Sequence, residues 1–287
     1  MAAAIAVFAL MDAGLKLLST RYPPFQVTAL RGAASLPLLL MWTAASCGLG
    51  TLLRVRWPLH LLRGAMGIAM MALFVYGLKT LALTTAYSIV FVAPLLIAAL
   101  SVPLLGERVG PRRWAAIAVG FAGVLVLLRP SGDGMLSTAA LAVFGAALMY
   151  ALTALTVRVL ARTDSTQAMV VWLMAAMAAG GALLAAPGWV PVRAADAWLV
   201  LGVGVTGALG QYAITEAFRH GEASLVAPLE YTALVWSVLL DATLWGVLPG
   251  AATWIGAAII VASGLYLLRR ERVHGVTPEL AAHEPGT

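Results

Sequence analysis

The sequence predicts an all-α integral membrane protein of ten transmembrane helices, built as two inverted five-helix repeats with both termini in the cytoplasm. Three observations carry that expectation. The 287 residues are 62% hydrophobic and only 10% charged, with a mean hydropathy of +0.95. Ten apolar runs, each near the roughly 20 residues that cross a bilayer, take up most of the chain. One hydrophobic phrase also occurs twice, as AYSIVFVAPL at 86–95 and EASLVAPLEY at 222–231. Each copy leads to a glycine (Gly106, Gly246), a short break, and a tryptophan opening another apolar run (Trp114, Trp254).

Soluble domains carry about 25% charged residues, so this chain lacks the charge to cover a water-soluble globule of its mass. The net charge of +6 and the pI near 9.9 do not point to nucleic acid. The basic residues form short clusters between apolar spans, with no stripe interleaved with aromatics, and such clusters fix membrane orientation. The single cysteine, Cys47, rules out an intrachain disulfide and a cysteine metal cluster. The opening MAAAIAVFAL lacks the basic region of a secretory signal and reads as the first span.

The spans run near 2–19, 26–46, 60–80, 84–105, 112–129, 137–158, 167–186, 196–217, 223–246 and 251–268. Proline and glycine punctuate them: Tyr22-Pro23-Pro24, Trp57-Pro58, Gly106, Pro111, Pro130, Pro187-Gly188 and Pro249-Gly250 mark breaks. With the N-terminus inside, twelve of the 18 basic residues fall at cytoplasmic ends: Arg54, Arg56, Arg63, Arg108, Arg112, Arg113, Arg158, Arg162, Arg219, Arg269, Arg270 and Arg272. That bias sets the orientation. The halves are 1–130 and 131–268, followed by a polar tail at 269–287. Five spans per half is an odd number, so the second half inserts upside down. Such inverted repeats build carriers that open alternately to either side.

The stretches APLL, GERVGPRRW and GFAGVLVLL within 93–128 resemble the EamA unit of the drug/metabolite transporter superfamily. ASLVAPLEY and WIGAAIIVASGLYLL within 223–268 resemble its second copy. Asp12, Lys16 and Arg31 in the opening stretch extend the likeness to nearly the whole chain, and bacterial amino-acid exporters of the YddG type are similar within that superfamily. The resemblance implies a multi-pass protein of the bacterial inner membrane. It would export amino acids or related metabolites through a cavity lined by spans 1, 3, 4, 6, 8 and 9. The second copy departs from the first, reading Gly246-Val247 where the first has Gly106-Glu107, so Glu107 is read as a loop-capping residue.

Ionisable groups inside spans are functional candidates because each is costly in hydrocarbon. They are Asp12, Lys16, Arg31, Lys79, Glu216, Glu230 and Asp241. Asp12 and Lys16, four apart on one helix face, can pair with each other or meet solute. Arg31 reads as a structural ion-pair residue. Lys79 and Glu216 read as helix-end residues or cavity groups, and Asp241 has no evident partner. Glu230, two residues after Pro228, can pair with a cation, hold a solute ammonium or take up a proton, and is the first candidate for proton coupling. Pro94 and Pro228 are hinges or static kinks. Phe8, Tyr76, Tyr87, Phe91, Tyr150, Gln211, Tyr212 and Trp236 complete the expected cavity, apolar with scattered hydrogen-bonding groups.

Other classes fit poorly. His60, His220, His274 and His283 are scattered without metal-ligand spacing, and the His220-Gly-Glu222 pair lacks the cysteines of a zinc deaminase. Gly202, Gly204 and Gly207 spell GxGxxG without a preceding strand, so they read as helix-packing positions like Gly64/Gly67 and Gly120/Gly123. No Walker motif is present. The reading is a secondary carrier for a small-molecule solute, with protons as a candidate second partner, that uses no cofactor and is not an enzyme.

Overall fold

A computed structural model describes residues 2–53, 55–106, 110–127, 137–220 and 231–274, with side chains left out at 214–220 and 267–274 among others. The described residues form helices and turns with no strand. In chain order the helices are α1 (Ala2–Ser19), α2 (Pro24–Ser46), α3 (Trp57–Leu78), α4 (Leu83–Val90), α5 (Ala93–Leu105), α6 (Pro111–Leu127), α7 (Thr138–Leu160), α8 (Thr166–Ala185), α9 (Ala197–His220), α10 (Ala233–Trp245) and α11 (Ala251–His274). Five stretches among the described residues are long and apolar enough to cross a membrane: Pro24–Ser46, Trp57–Leu78, Leu83–Leu104, Thr138–Val157 and Thr166–Gly188.

Local chemistry sets the ends. Ser137 and Ser165 accept hydrogen bonds from Ala140 and Ala168 N–H and cap α7 and α8. Gly106 and Gly246 end α5 and α10 with φ of 70° and 64°, a left-handed cap that glycine adopts without strain. The apolar run 83–105 is split into α4 and α5. Pro94 has no N–H for the Val90 carbonyl and its ring crowds that carbonyl, so the helix breaks at Phe91-Val92 and restarts with Leu96 N–H bonding Val92 O at 3.0 Å. Pro94 therefore sits in the first turn of α5. Pro228 and Glu230 lie outside the described residues.

Four helix pairs run in opposed directions. In α2 and α8, a Cβ on Gly32 would fall 2.6 Å from Ala178 N, and one on Gly181 would fall 2.9 Å from Ala29 N. Two backbones thus touch through reciprocal glycines, the close approach that small residues permit in membranes. α1 meets α9 through Gly14 at Val203, Met11 at Gly207 and Phe8 at Gly210. α3 meets α7 through Gly77 at Val143 and Leu73 at Gly145. α6 meets α11 where Gly120 faces Ser263 and Gly123 faces Ile259. In every case numbers rise on one helix as they fall on the other, so each pair is antiparallel. Gly202, by contrast, has nothing within 4 Å. The GxGxxG packing expectation holds for Gly204 and Gly207 and fails for Gly202.

Polar clamps close both ends. At the end where α1 finishes, here the upper end, Tyr22 Oη donates to Asp196 at 2.7 Å and Arg21 also pairs with Asp196. Gln26 makes two bonds to the Val190 backbone, at 2.6 and 2.9 Å. At the lower end Asp164 accepts from Thr163 Oγ1 (2.6 Å) and Arg56 N–H (3.0 Å), and lies 2.8 Å from His60 Nε2. Burial disfavours the Asp164 carboxylate, but those hydrogen bonds and the His60 ring outweigh it and hold the group below the usual carboxylate range. A depressed folded value stabilises above the unfolded pKa, and that stability is lost as pH falls through the folded value. Asp164→Asn is therefore expected to lower the melting temperature near neutral pH, with the gap to the parent closing below about pH 4. Melting curves of both proteins from pH 7 to pH 3 check this.

Candidate functional site

Three layers, two ionisable and one aromatic, lie under the upper clamp. The first joins both halves of the chain. Asp241, near the end of α10, accepts from the backbone N–H of Leu83 (3.0 Å) and Thr84 (2.7 Å) and from Thr84 Oγ1 (2.8 Å). Those are the orphan amides at the start of α4, so Asp241 serves as a cap supplied from another helix. Lys16 of α1 completes the layer, 3.3 Å from Asp241 and 4.2 Å from the Trp245 ring centroid.

This overturns two expectations. Lys16 does not pair with Asp12, and Asp241 is fully partnered. The reason is that α10 offers Lys16 a carboxylate and an aromatic face together, whereas Asp12 is taken by Tyr87. The α10 contact lies 225 residues away in sequence, beyond the reach of helix-face reasoning.

The second layer is the core of the candidate site. Asp12 is buried and accepts a 2.5 Å bond from Tyr87 Oη. Arg31, also buried, acts on Asp12 electrostatically, and its Nη1 faces the sulfurs of Met71 and Met177, each at 3.8 Å. Asp12, Arg31 and Met71 each lie seven residues from the upper end of their helix. At 1.5 Å per residue that is about 10 Å down, roughly a third of the hydrocarbon thickness. The sequence casts Arg31 as a structural ion-pair residue, whereas among the described residues no carboxylate lies in contact with it.

The third layer is aromatic. Phe74 stacks on Tyr87 and Tyr87 on Phe91, both with centroids 6.5 Å apart, and Phe91 meets Tyr231 edge-on at 5.1 Å. Tyr87 and Phe91 are one helical turn apart, in the last turn before the Pro94 break. The break thus sets the column at the foot of α4. Phe74 was missed by sequence reading; its signal was four-residue spacing from Met70 and Leu78 on the α3 face that turns inward.

The other expected residues lie around this core. Phe8 packs its ring against Gly210 of α9, and Trp236 is half-buried against the core. Gln211 is half-buried on α9. Tyr76, Tyr150 and Tyr212 lie on α3, α7 and α9 with exposed rings, and Tyr212 meets Trp42 edge-on at 5.4 Å. Lys79 is exposed at the C-cap of α3 and joins none of the three layers. Among the described residues no group of three His, Cys, Asp or Glu could hold a metal.

Comparison with known proteins gives this arrangement its context. The EamA-like transporter family matches the chain twice, at residues 1–129 and 137–269. A riboflavin transporter of Rhizobium johnstonii is 33% identical over 222 residues, covering 76% of this chain and 73% of the relative. The pseudopaline exporter CntI of Pseudomonas aeruginosa is 27% identical over 271 residues, covering 92% and 93%. A crystal structure superposes with a TM-score of 0.65 at 26% identity, over 93% of this chain and 95% of the other. The chain belongs to the EamA-like transporter family, within the drug/metabolite transporter superfamily, and is a membrane transporter of small metabolites rather than an enzyme.

Proposed function

We propose that the chain is a secondary carrier for a small planar heteroaromatic metabolite, with riboflavin the first solute to test. The aromatic column of Phe74, Tyr87, Phe91 and Tyr231 carries this reading. It sets buried aromatic rings next to the Asp12–Tyr87 polar pair. Each ring-on-ring contact contributes about 0.5–1.5 kcal/mol beyond burial, so two or three supply about 1–4.5 of the roughly 8 kcal/mol that micromolar binding needs, and apolar burial and polar contacts must supply the rest. The riboflavin transporter with which the chain shares 33% identity supports the same solute class.

The carrier works by alternating access between inverted repeats, residues 1–130 and 131–268, with ten spans and the tail at 269–287 in the cytoplasm of a bacterial inner membrane. The twofold family match and the antiparallel pairing support this. If α1, α2, α3, α4–α5 and α6 are exchanged for α7, α8, α9, α10 and α11, the pair α1–α9 becomes α7–α3. The pairs α2–α8 and α6–α11 map onto themselves. That exchange symmetry is what two inverted copies produce. Outward transport is the proposed direction, in line with the pseudopaline exporter. Asp12 is the proposed proton-coupling group among the described residues, with Glu230 the candidate outside them.

A second reading keeps amino acids as solute, because Arg31 and Asp12 side by side suit the carboxylate and ammonium of a zwitterion. Flavin fluorescence separates the two. Riboflavin bound against the aromatic column is expected to be quenched saturably by purified protein in detergent. Millimolar neutral amino acids should leave the titration unchanged. No flavin quenching at any protein concentration, together with saturable binding of a labelled neutral amino acid, would replace the first reading with the second.

A further inference from the structure

Arg31 is the one described side chain in the upper half of the bundle whose hydrogen-bonding capacity the protein leaves open. It is only 7% exposed. Its guanidinium presents five N–H donors and accepts nothing, yet its recorded contacts are two thioether sulfurs at 3.8 Å, and thioethers are weak acceptors. Its Nε is buried with no hydrogen-bond partner. Lys16, one layer up, has a carboxylate and an indole face. A buried donor left unmade is expensive, and the sequence supplies a charged fork where a leucine would pack.

We infer that the Arg31 fork binds the solute directly, receiving a neutral pair of adjacent acceptors, a carbonyl oxygen next to a ring nitrogen, on the edge of a planar heterocycle. This inference rests on the proposed heteroaromatic solute and adds how that solute is oriented. The fork geometry of arginine matches two adjacent acceptors, which an ammonium does not. Charge selects against a bare carboxylate. The same layer already holds the Asp12 carboxylate, to which Tyr87 donates, so an added anion would bring a second negative charge into the interior. Tyr87 belongs to both halves of the site. Its hydroxyl ties Asp12 in place and its ring stacks in the aromatic column. Tyr87 therefore joins the layer that holds Asp12 to the column on which a flat ring would stack.

The test uses the purified full chain and riboflavin, whose ring carries such acceptor pairs at N1/C2=O and at C4=O/N5. Arg31→Lys keeps the charge that balances Asp12 but removes the fork. Its dissociation constant for riboflavin is expected to rise about tenfold or more, with a melting temperature within about 3 °C of the parent. Against the parent, either 1-deazariboflavin or 5-deazariboflavin should bind about tenfold more weakly than riboflavin. That difference should vanish in Arg31→Lys. Equal riboflavin affinity in parent and variant would overturn the assignment and leave the heteroaromatic reading standing. So would an equal loss for riboflavin and both analogues, which is the pattern of a merely structural arginine. If Arg31→Lys does not fold, the parent alone decides, since both deaza analogues binding as tightly as riboflavin excludes the fork contact. A parent that binds no flavin overturns the solute reading, and the subsite with it.

Discussion

Asp241→Ala is expected to lower stability by about 3–5 kcal/mol, the cost of breaking a buried ionic network by removing one partner. In a chain of this size that is a fall in melting temperature on the order of 10 °C. Four groups lose their acceptor at once: the amides of Leu83 and Thr84, the Thr84 hydroxyl, and Lys16. Asp241→Asn keeps one carbonyl oxygen for the α4 amides and should lose less. Lys16→Met leaves three of the four bonds to Asp241 intact and should lose less again. Thermal melts of the three variants in one detergent check the order. An alanine variant that melts with the parent would show that Asp241 does not hold α4. The layer also joins α1, α4 and α10 at the upper end, so opening that end requires these bonds to part. Partial transport defects in the asparagine variant follow from the same geometry.

Gly32→Leu should do comparable damage through packing. A Cβ there falls 2.6 Å from Ala178 N and 2.7 Å from Met174 O. These are backbone atoms of a facing helix, so no rotamer change relieves the clash. α2 and α8 must separate, which gives up dispersion contacts along both helices, the main force between helices in lipid. Overpacking of cores costs about 1–3 kcal/mol when side chains can yield, and here they cannot. Gly202→Leu is the matched control, because nothing lies within 4 Å of that position. Gel-filtration profiles and melting curves should show the first variant aggregating or strongly destabilised and the second close to parent. Equal behaviour of the two would contradict the crossing.

Much of this architecture is legible in the sequence. The apolar runs, the repeated phrase and the glycines at 106 and 246 mark helices and their ends because backbone rules act locally. Pro94 announces the α4–α5 break for the same reason. The site is legible only in part. Asp12, Tyr87 and Phe91 stand out as polar or aromatic residues in apolar runs, and the structure brings them together. The partners do not stand out. Lys16 meets Asp241 rather than Asp12 because a fold can offer a better partner from far along the chain. Arg31 read as structural because a sequence shows a charge but not the acceptors it lacks. Position within a span does not tell which helix face Tyr76, Tyr150 and Tyr212 occupy, and their rings are exposed.

The most direct test is riboflavin flux through purified protein in proteoliposomes, timed with and without an imposed pH gradient. Saturable movement of labelled riboflavin, competed by unlabelled riboflavin and weakened in a Phe91→Ala variant, is the predicted result. Acceleration by the gradient in the parent, but not in Asp12→Asn, would fit Asp12 as the coupling group. Well-folded protein that moves no riboflavin under either condition would contradict the heteroaromatic reading while leaving the transporter family untouched.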